Sequence, residues 1–304
     1  MHRRTLNLPP TITRGRIITL SGVLLLITLI CLFTPKTTIQ SPTTGGYPYV
    51  KPATRPIRPP TPDPPSATPP AKKLIVKVQL EGEDLNWLWT LHPEWRNHVL
   101  SIDRQFALLH AGAQRVDKGR TADAYLRWII THYSNLAETL VFVPPGLETQ
   151  EQDTSGWRVP NQELVVDAID GLSVEGVQKS GFVPLRCLSV SECDDAALSL
   201  RNPPDRYRTL GVDMAEAWVQ MFGNTRMPEQ LAGPGGGAFA VSKTQVLKRS
   251  VEEYTRYWKW LAKTEMDDDS AGALVERLWH VVFGKESVWC PAEEECRCEV
   301  FGRC

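Results

Sequence analysis

The sequence predicts an α/β fold: one Rossmann-like mixed sheet with flanking helices, closed by a disulfide-stapled tail. Three observations carry that prediction. Short β-branched runs alternate with segments of helical periodicity from residue 72 onward, which is the pattern of a layered sheet. Six of the seven cysteines follow residue 186. An apolar run and a Pro-rich tract precede all of this and have neither pattern.

The run Ile17–Phe33 carries no charge, and Arg3, Arg4, Arg14 and Arg16 lie before it with no acid among them. Seventeen or eighteen helical residues reach about 27 Å, enough for a thin bilayer. The excess of arginine on its N-terminal side predicts a cytosolic tail at 1–16, an anchor at 17–34 in the lipid bilayer, and a lumenal remainder. A cleaved signal peptide is the rival, but the run exceeds the usual apolar core and no small-x-small site follows. The expected compartment is the secretory pathway, Golgi or ER. Residues 35–71 hold twelve of the 24 prolines and read as an extended stem, with Ser/Thr-with-Pro composition suited to O-glycosylation.

From residue 72 to 304 acids exceed bases by eight, which argues against a nucleic-acid partner. Leu74–Leu80 (LIVKVQL) reads as a strand, followed by the Trp-rich stretch Asn86–Trp95 and a strand at His98–Ile102. Thr121–Tyr133 has helical spacing, Thr139–Val143 is a buried strand stopped by Pro144–Pro145, and Gln162–Ile169 is a short helix. Gly181–Cys187 is a weak strand, Met214–Phe222 a helix, and Ala238–Val241 a short strand after the glycine-rich turn Gly233–Gly237. Ser250 with Glu253 forms a capping box before a helix whose stripe is Val251, Tyr254, Tyr257, Trp258 and Leu261. Ser270 is expected to cap a last helix that runs to about Phe283.

Cys187, Cys193, Cys290, Cys296, Cys298 and Cys304 form an even set on the lumenal side, consistent with disulfides and 15 possible pairings. Local spacing favours Cys187 with Cys193, leaving four cysteines to staple the tail. Zinc is disfavoured because C-x-C is not the usual ligand knuckle.

The stretches EDLNWL at 83–88, HPEW at 92–95, YLRWIITHYSNL at 125–136 and GFVPLRC at 181–187 share an order with YWKWLAKT, LVERLWHVVFGK and CPAEEECRCEVFGRC. In these the chain resembles the fungal domain-of-unknown-function family 3431 over nearly all of 74–304. The resemblance implies membrane-anchored or secreted proteins with a glycosyltransferase-A-like layout and uncharacterised chemistry. Where relatives carry K-G-R-E-A, this chain has Lys118-Gly119-Arg120-Thr121-Ala122; where they carry a Cys-Cys pair, it has Gly236–Gly237.

On the residues themselves, Glu276 and His280 lie four apart, so one helix would present them on one face as a carboxylate–imidazole acid/base pair. Glu83 and Asp84 follow the first strand, where α/β proteins place ligand groups. Lys118 and Arg120 could hold a phosphate, and Trp87, Trp89 and Trp95 could stack on a sugar. The Asp267–Asp269 run contains the D-x-D of cation-dependent nucleotide-sugar enzymes, but a helix entry explains it as well. The expectation is a transferase using a nucleotide-sugar, with a divalent cation such as Mn if one is needed. The alternative is a non-catalytic glycan-binding module or pseudoenzyme.

Overall fold

The computed structural model describes residues 58–66, 69–80, 82–102, 118–119, 121–146, 162–189, 193, 197–200 and 209–304. All fall in one compact unit that begins at Ile57. The proposed tail and anchor at 1–34, and most of the stem, lie outside the described residues. Among the described residues no helix is long and apolar enough to cross a membrane.

The end of the Pro-rich tract packs on the domain. Asp63 N–H donates to the Thr131 carbonyl (2.7 Å), Ser66 N–H donates to Asn135 Oδ1 (2.8 Å), and Asn135 Nδ2 donates to the Pro64 carbonyl (3.0 Å). Proline cannot donate, so the tract is bound through its few N–H groups and its carbonyls.

Five strands form a mixed sheet: β1 (Lys73–Leu80), β2 (Trp95–Ile102), β3 (Thr139–Val143), β4 (Phe182–Pro184) and β7 (Phe239–Ser242). Their order is β2-β1-β3-β7-β4. β1 pairs parallel with both β2 and β3, whereas β7 runs antiparallel between β3 and β4. The two-residue strands β5 (Leu198–Ser199) and β6 (Gln230–Leu231) form a separate ribbon. The predicted second strand begins three residues earlier than expected, at Trp95. Its partner β1 is long enough to extend the ladder from Lys73↔Trp95 to Leu80↔Ile102.

Helices cover both faces, and the alternation along each strand decides which residue meets which layer. Val76, Val78, Leu140, Phe142, Phe239 and Val241 point to the larger core. That core is closed by α1 (Thr121–Thr131), α4 (Thr209–Phe222), α6 (Val251–Lys263), α7 (Asp268–Glu276) and α8 (Trp279–Val282). Aromatic rings fill it: Phe142 stacks on Phe239 at 5.0 Å and Phe182 on Phe283 at 5.5 Å. Ile75, Val141, Val143, Val183 and Ala240 point to the other face. There they meet a one-turn 3-10 helix at Asn86–Trp89, α2 (Gln162–Asp170), α3 (Val174–Ser180) and α9 (Glu293–Phe301). The short helix α5 (Lys243–Val246) follows β7 directly.

Several expectations are corrected. The last helical run is not continuous: Leu278 N–H reaches only three residues back, to the Val275 carbonyl (2.9 Å), and α7 gives way to α8. Its cap is Asp267, not Ser270: Asp267 Oδ1 accepts from Ser270 N–H (2.8 Å) and Oδ2 from the Ser270 hydroxyl (2.7 Å). Two acids behind the cap favour the earlier start through the helix dipole. The capping box at Ser250–Glu253 forms as expected, with the Glu253 carboxylate accepting from Ser250 N–H (2.9 Å).

The cysteine pairing also differs. The bridges are Cys187–Cys296, Cys193–Cys290 and Cys298–Cys304; Cys187 and Cys193 do not join. The tail folds as α9, with Cys296 and Val300 buried against the lower face of the sheet, next to the end of β4. Ser173 N–H also donates to the Val300 carbonyl (2.8 Å). That long-range docking sets the partners, and local spacing carries no information about it. The two long bridges close loops of 109 and 97 residues. Each restricts the unfolded chain by about 5 kcal/mol in the loop-entropy account.

Candidate functional site

The strand order reverses at β1: the chain goes from β1 to β2 on one side of it and then back to β3 on the other. The connection to β2 passes over the face of the 3-10 helix, and the connection to β3 returns through α1 on the opposite face. Neighbouring connections therefore part company at the C-terminal ends of β1 and β3, the switch point where α/β sheets bind ligands. Because β7 runs antiparallel, the loop before it, Gly233–Ala238, comes to this same edge.

Lys77, Glu83 and Tyr125 are fixed at this edge by hydrogen bonds. Lys77, on β1, is wholly buried and donates from Nζ to Glu83 Oε1 (2.6 Å) and to the Pro144 carbonyl (2.7 Å). Glu83 accepts two further bonds, from Gly146 N–H (3.2 Å) and Leu80 N–H (3.1 Å). Its carboxylate thus ties the loop after β1 to the loop after β3. Tyr125, one turn into α1, is fully buried and donates its hydroxyl to the Gly237 carbonyl (2.9 Å). Burial first, then the Glu276 and Glu83 carboxylates, push the Tyr125 phenol well above its ordinary range. The Glu276 carboxylate, half-buried at the end of α7, acts electrostatically on the same phenol as Glu83. Gly237 fits because a side chain there would press on the Pro144 ring.

The other sequence candidates go elsewhere. His280 is buried beneath Gly233, whose missing side chain leaves room for the imidazole. Its Nε2 lies 3.3 Å from the Ser287 carbonyl, and its Nδ1 has no hydrogen-bond partner. Burial holds its pKa down to about 4, while the carbonyls of Ser287 and Arg277 oppose the shift. Glu276 is not among the groups that act on His280, so the expected carboxylate–imidazole pair does not form. The break between α7 and α8 removes the shared helical face on which it depended.

Lys118 is buried and donates to the Thr264 carbonyl, while Gly119 N–H donates to Asp268 Oδ1 (3.3 Å). This pins the 118–119 turn to the α6–α7 junction. Arg120 lies outside the described residues. Asp84 is exposed and caps a local turn by accepting from Asn86 N–H (2.9 Å). Trp87 is only 4% exposed and Trp95 is also buried, both in the lower core, whereas Trp89 is 80% exposed. Asp267 and Asp268 serve the α7 entry and the 118–119 turn. Among the described residues no group of three or more His, Cys, Asp or Glu could hold a metal ion.

Two residues of the edge, Lys77 and Tyr125, were not among the candidates read from the sequence. A lysine in the middle of LIVKVQL was the available signal, since a central strand must bury it and a buried charge needs a partner. Tyr125 had none: it reads as one more member of an apolar stripe.

These features define a mixed α/β protein with a three-layer core, three disulfides and a polar cluster at the switch point of its sheet. The chain belongs to the family described as "Protein of unknown function (DUF3431)", whose model matches residues 75–299. No curated protein and no solved structure matches it.

Proposed function

We propose that this chain is a single-pass, lumenal glycosyltransferase-like protein that binds a nucleotide-sugar at the C-terminal edge of its sheet. One observation carries the reading. Two acids from distant parts of the chain, Glu83 and Glu276, both act electrostatically on Tyr125, whose hydroxyl holds a glycine-rich loop at the switch point between β1 and β3. The strand order, three parallel strands followed by an inserted antiparallel one, is compatible with a glycosyltransferase-A-like sheet. Three disulfides fit an oxidising compartment. The apolar run 17–34 would then anchor the protein in the bilayer of the Golgi or ER.

The residues divide the work. Glu83 and Lys77 hold the two loops at the crevice, and Tyr125 holds the glycine-rich loop over it. Glu276 is the carboxylate we assign to an acceptor hydroxyl, as general base. His280, neutral and engaged with Ser287, supports the loop from below.

Calorimetry on the full chain in mild detergent tests the reading, with UDP, GDP and their sugars, with and without Mn²⁺. Saturable heat with one nucleotide is expected. No heat with any of them would leave the transferase reading without support. The four-bond engagement of Lys77 and Glu83 favours a second reading, a glycan-binding module without catalysis. That reading predicts glycan binding with no nucleotide heat.

A further inference from the structure

A second feature lies away from the switch point, between the edge strand β4 and the tail helix α9. A cleft of about 260 Å³ opens there. Val183, Pro184, Val288 and Pro291 supply its apolar lining. Cys290 and Cys296 line it too, so the bridges to Cys193 and Cys187 hold part of its lining in place. Such a cleft is formed before any ligand arrives, which lowers the ordering cost of binding.

The charged groups at the cleft are unusual in kind. Lys285 donates from Nζ to the Ser180 carbonyl and hydroxyl, both at 2.9 Å, and lies 4.7 Å from the centre of the Trp289 ring. An ammonium has three hydrogens, so two are used and one is left over. Glu295 and Glu299 line the same cleft and make no side-chain hydrogen bond among the described residues. Lys285 is partly desolvated, which lowers its pKa, and Glu299 is close enough to act against that shift.

We propose that this cleft binds a single pyranose ring of a glycan. The ammonium would donate to one ring hydroxyl, and neighbouring hydroxyls would donate to the Glu299 and Glu295 carboxylates. The ring's C–H face would lie on the apolar wall. A hydroxyl both donates and accepts, so it can satisfy a cation and a carboxylate side by side. A simple anion would face two carboxylates, and a simple cation would face Lys285. The volume is below the roughly 300–1,000 Å³ of pockets for drug-sized ligands, and suits one ring. This proposal does not depend on the nucleotide-sugar reading, since the cleft shares no residue with the switch-point cluster.

Saturation-transfer NMR on the full chain tests it, with the methyl pyranosides of mannose, glucose, galactose and N-acetylglucosamine as probes and methylammonium as the competing cation. One glycoside should bind. Lys285→Met and Glu299→Gln should each weaken it about tenfold or more, the worth of a hydrogen bond to a charged group. Lys259→Met, on an exposed face of α6, should leave it unchanged. Glu299 is exposed, so its variant tests the site even if Lys285→Met fails to fold. Binding of methylammonium but of no glycoside, or equal glycoside binding by wild type and Glu299→Gln, would overturn the proposal.

Discussion

Lys77 and Glu83 form an ion pair across 2.6 Å with side chains 0% and 5% exposed, the most deeply buried charge pair described in the domain. Its position explains its importance. It lies where β1 ends, and it reaches the loop after β3 through Pro144 and Gly146.

Removing one partner should therefore cost more than removing both. Lys77→Met leaves Glu83 buried with its charge unpaired and is expected to destabilise the domain by about 3–5 kcal/mol. Lys77→Met with Glu83→Gln should cost clearly less than the sum of the single changes. Urea unfolding of the three variants reads this directly. Additive losses would mean that the pair is not a unit.

The bridges should differ in worth. Cys298 and Cys304 are six residues apart, against 109 for Cys187 and Cys296. Replacing the short pair by serine should cost about 2 kcal/mol and the long pair about 5 kcal/mol, by loop entropy. Peptide mapping without reductant should recover Cys187 linked to Cys296; a Cys187–Cys193 peptide would contradict the fold.

The contact of α3 with α9 allows no side chain at Gly176. A methyl group there would overlap the Glu299 backbone carbonyl, and the neighbour cannot yield without moving the tail helix. Gly176→Ala should cost about 1–3 kcal/mol through overpacking. It should also expose the tail to limited proteolysis before the rest of the domain unfolds.

His280 should make stability depend on pH. Its pKa is about 4 when folded, against about 6.5 in the unfolded chain. Between those values the unfolded chain binds more protons. Stability from this group is therefore complete above about pH 6.5 and lost as pH falls toward 4. The difference is on the order of 3 kcal/mol. Subtracting the unfolding curve of His280→Asn from that of wild type isolates it from the carboxylates. A flat difference between pH 7 and pH 4 would show that the imidazole is not held neutral by burial.

Much of the fold is legible in the residues. LIVKVQL and TLVFV, at the centre of the sheet, are apolar enough to become strands in any packed context. Ser250 and Glu253 close their capping box because both partners lie within one turn. The helix α9 was not legible: Glu293, Glu294, Glu295 and Arg297 give it no apolar stripe, and it docks chiefly through Cys296, Val300 and Phe301. The candidate site was legible in part. Glu83 and Glu276 were picked out by their positions relative to a strand end and a helix. Lys118 and His280 were picked out by motif and spacing, yet their side chains reach the Thr264 and Ser287 carbonyls.

The sequence alone determined the alternation of strands and helices, the acidic balance of the domain and an even set of cysteines. These are local or additive properties, set by side-chain period, charge and count. Only the tertiary structure decided which cysteines join, that β7 runs against its neighbours, and that Lys77 and Glu83 tie the loop after β1 to the loop after β3. Those outcomes depend on which surfaces are buried together, and burial is a property of the whole packed chain.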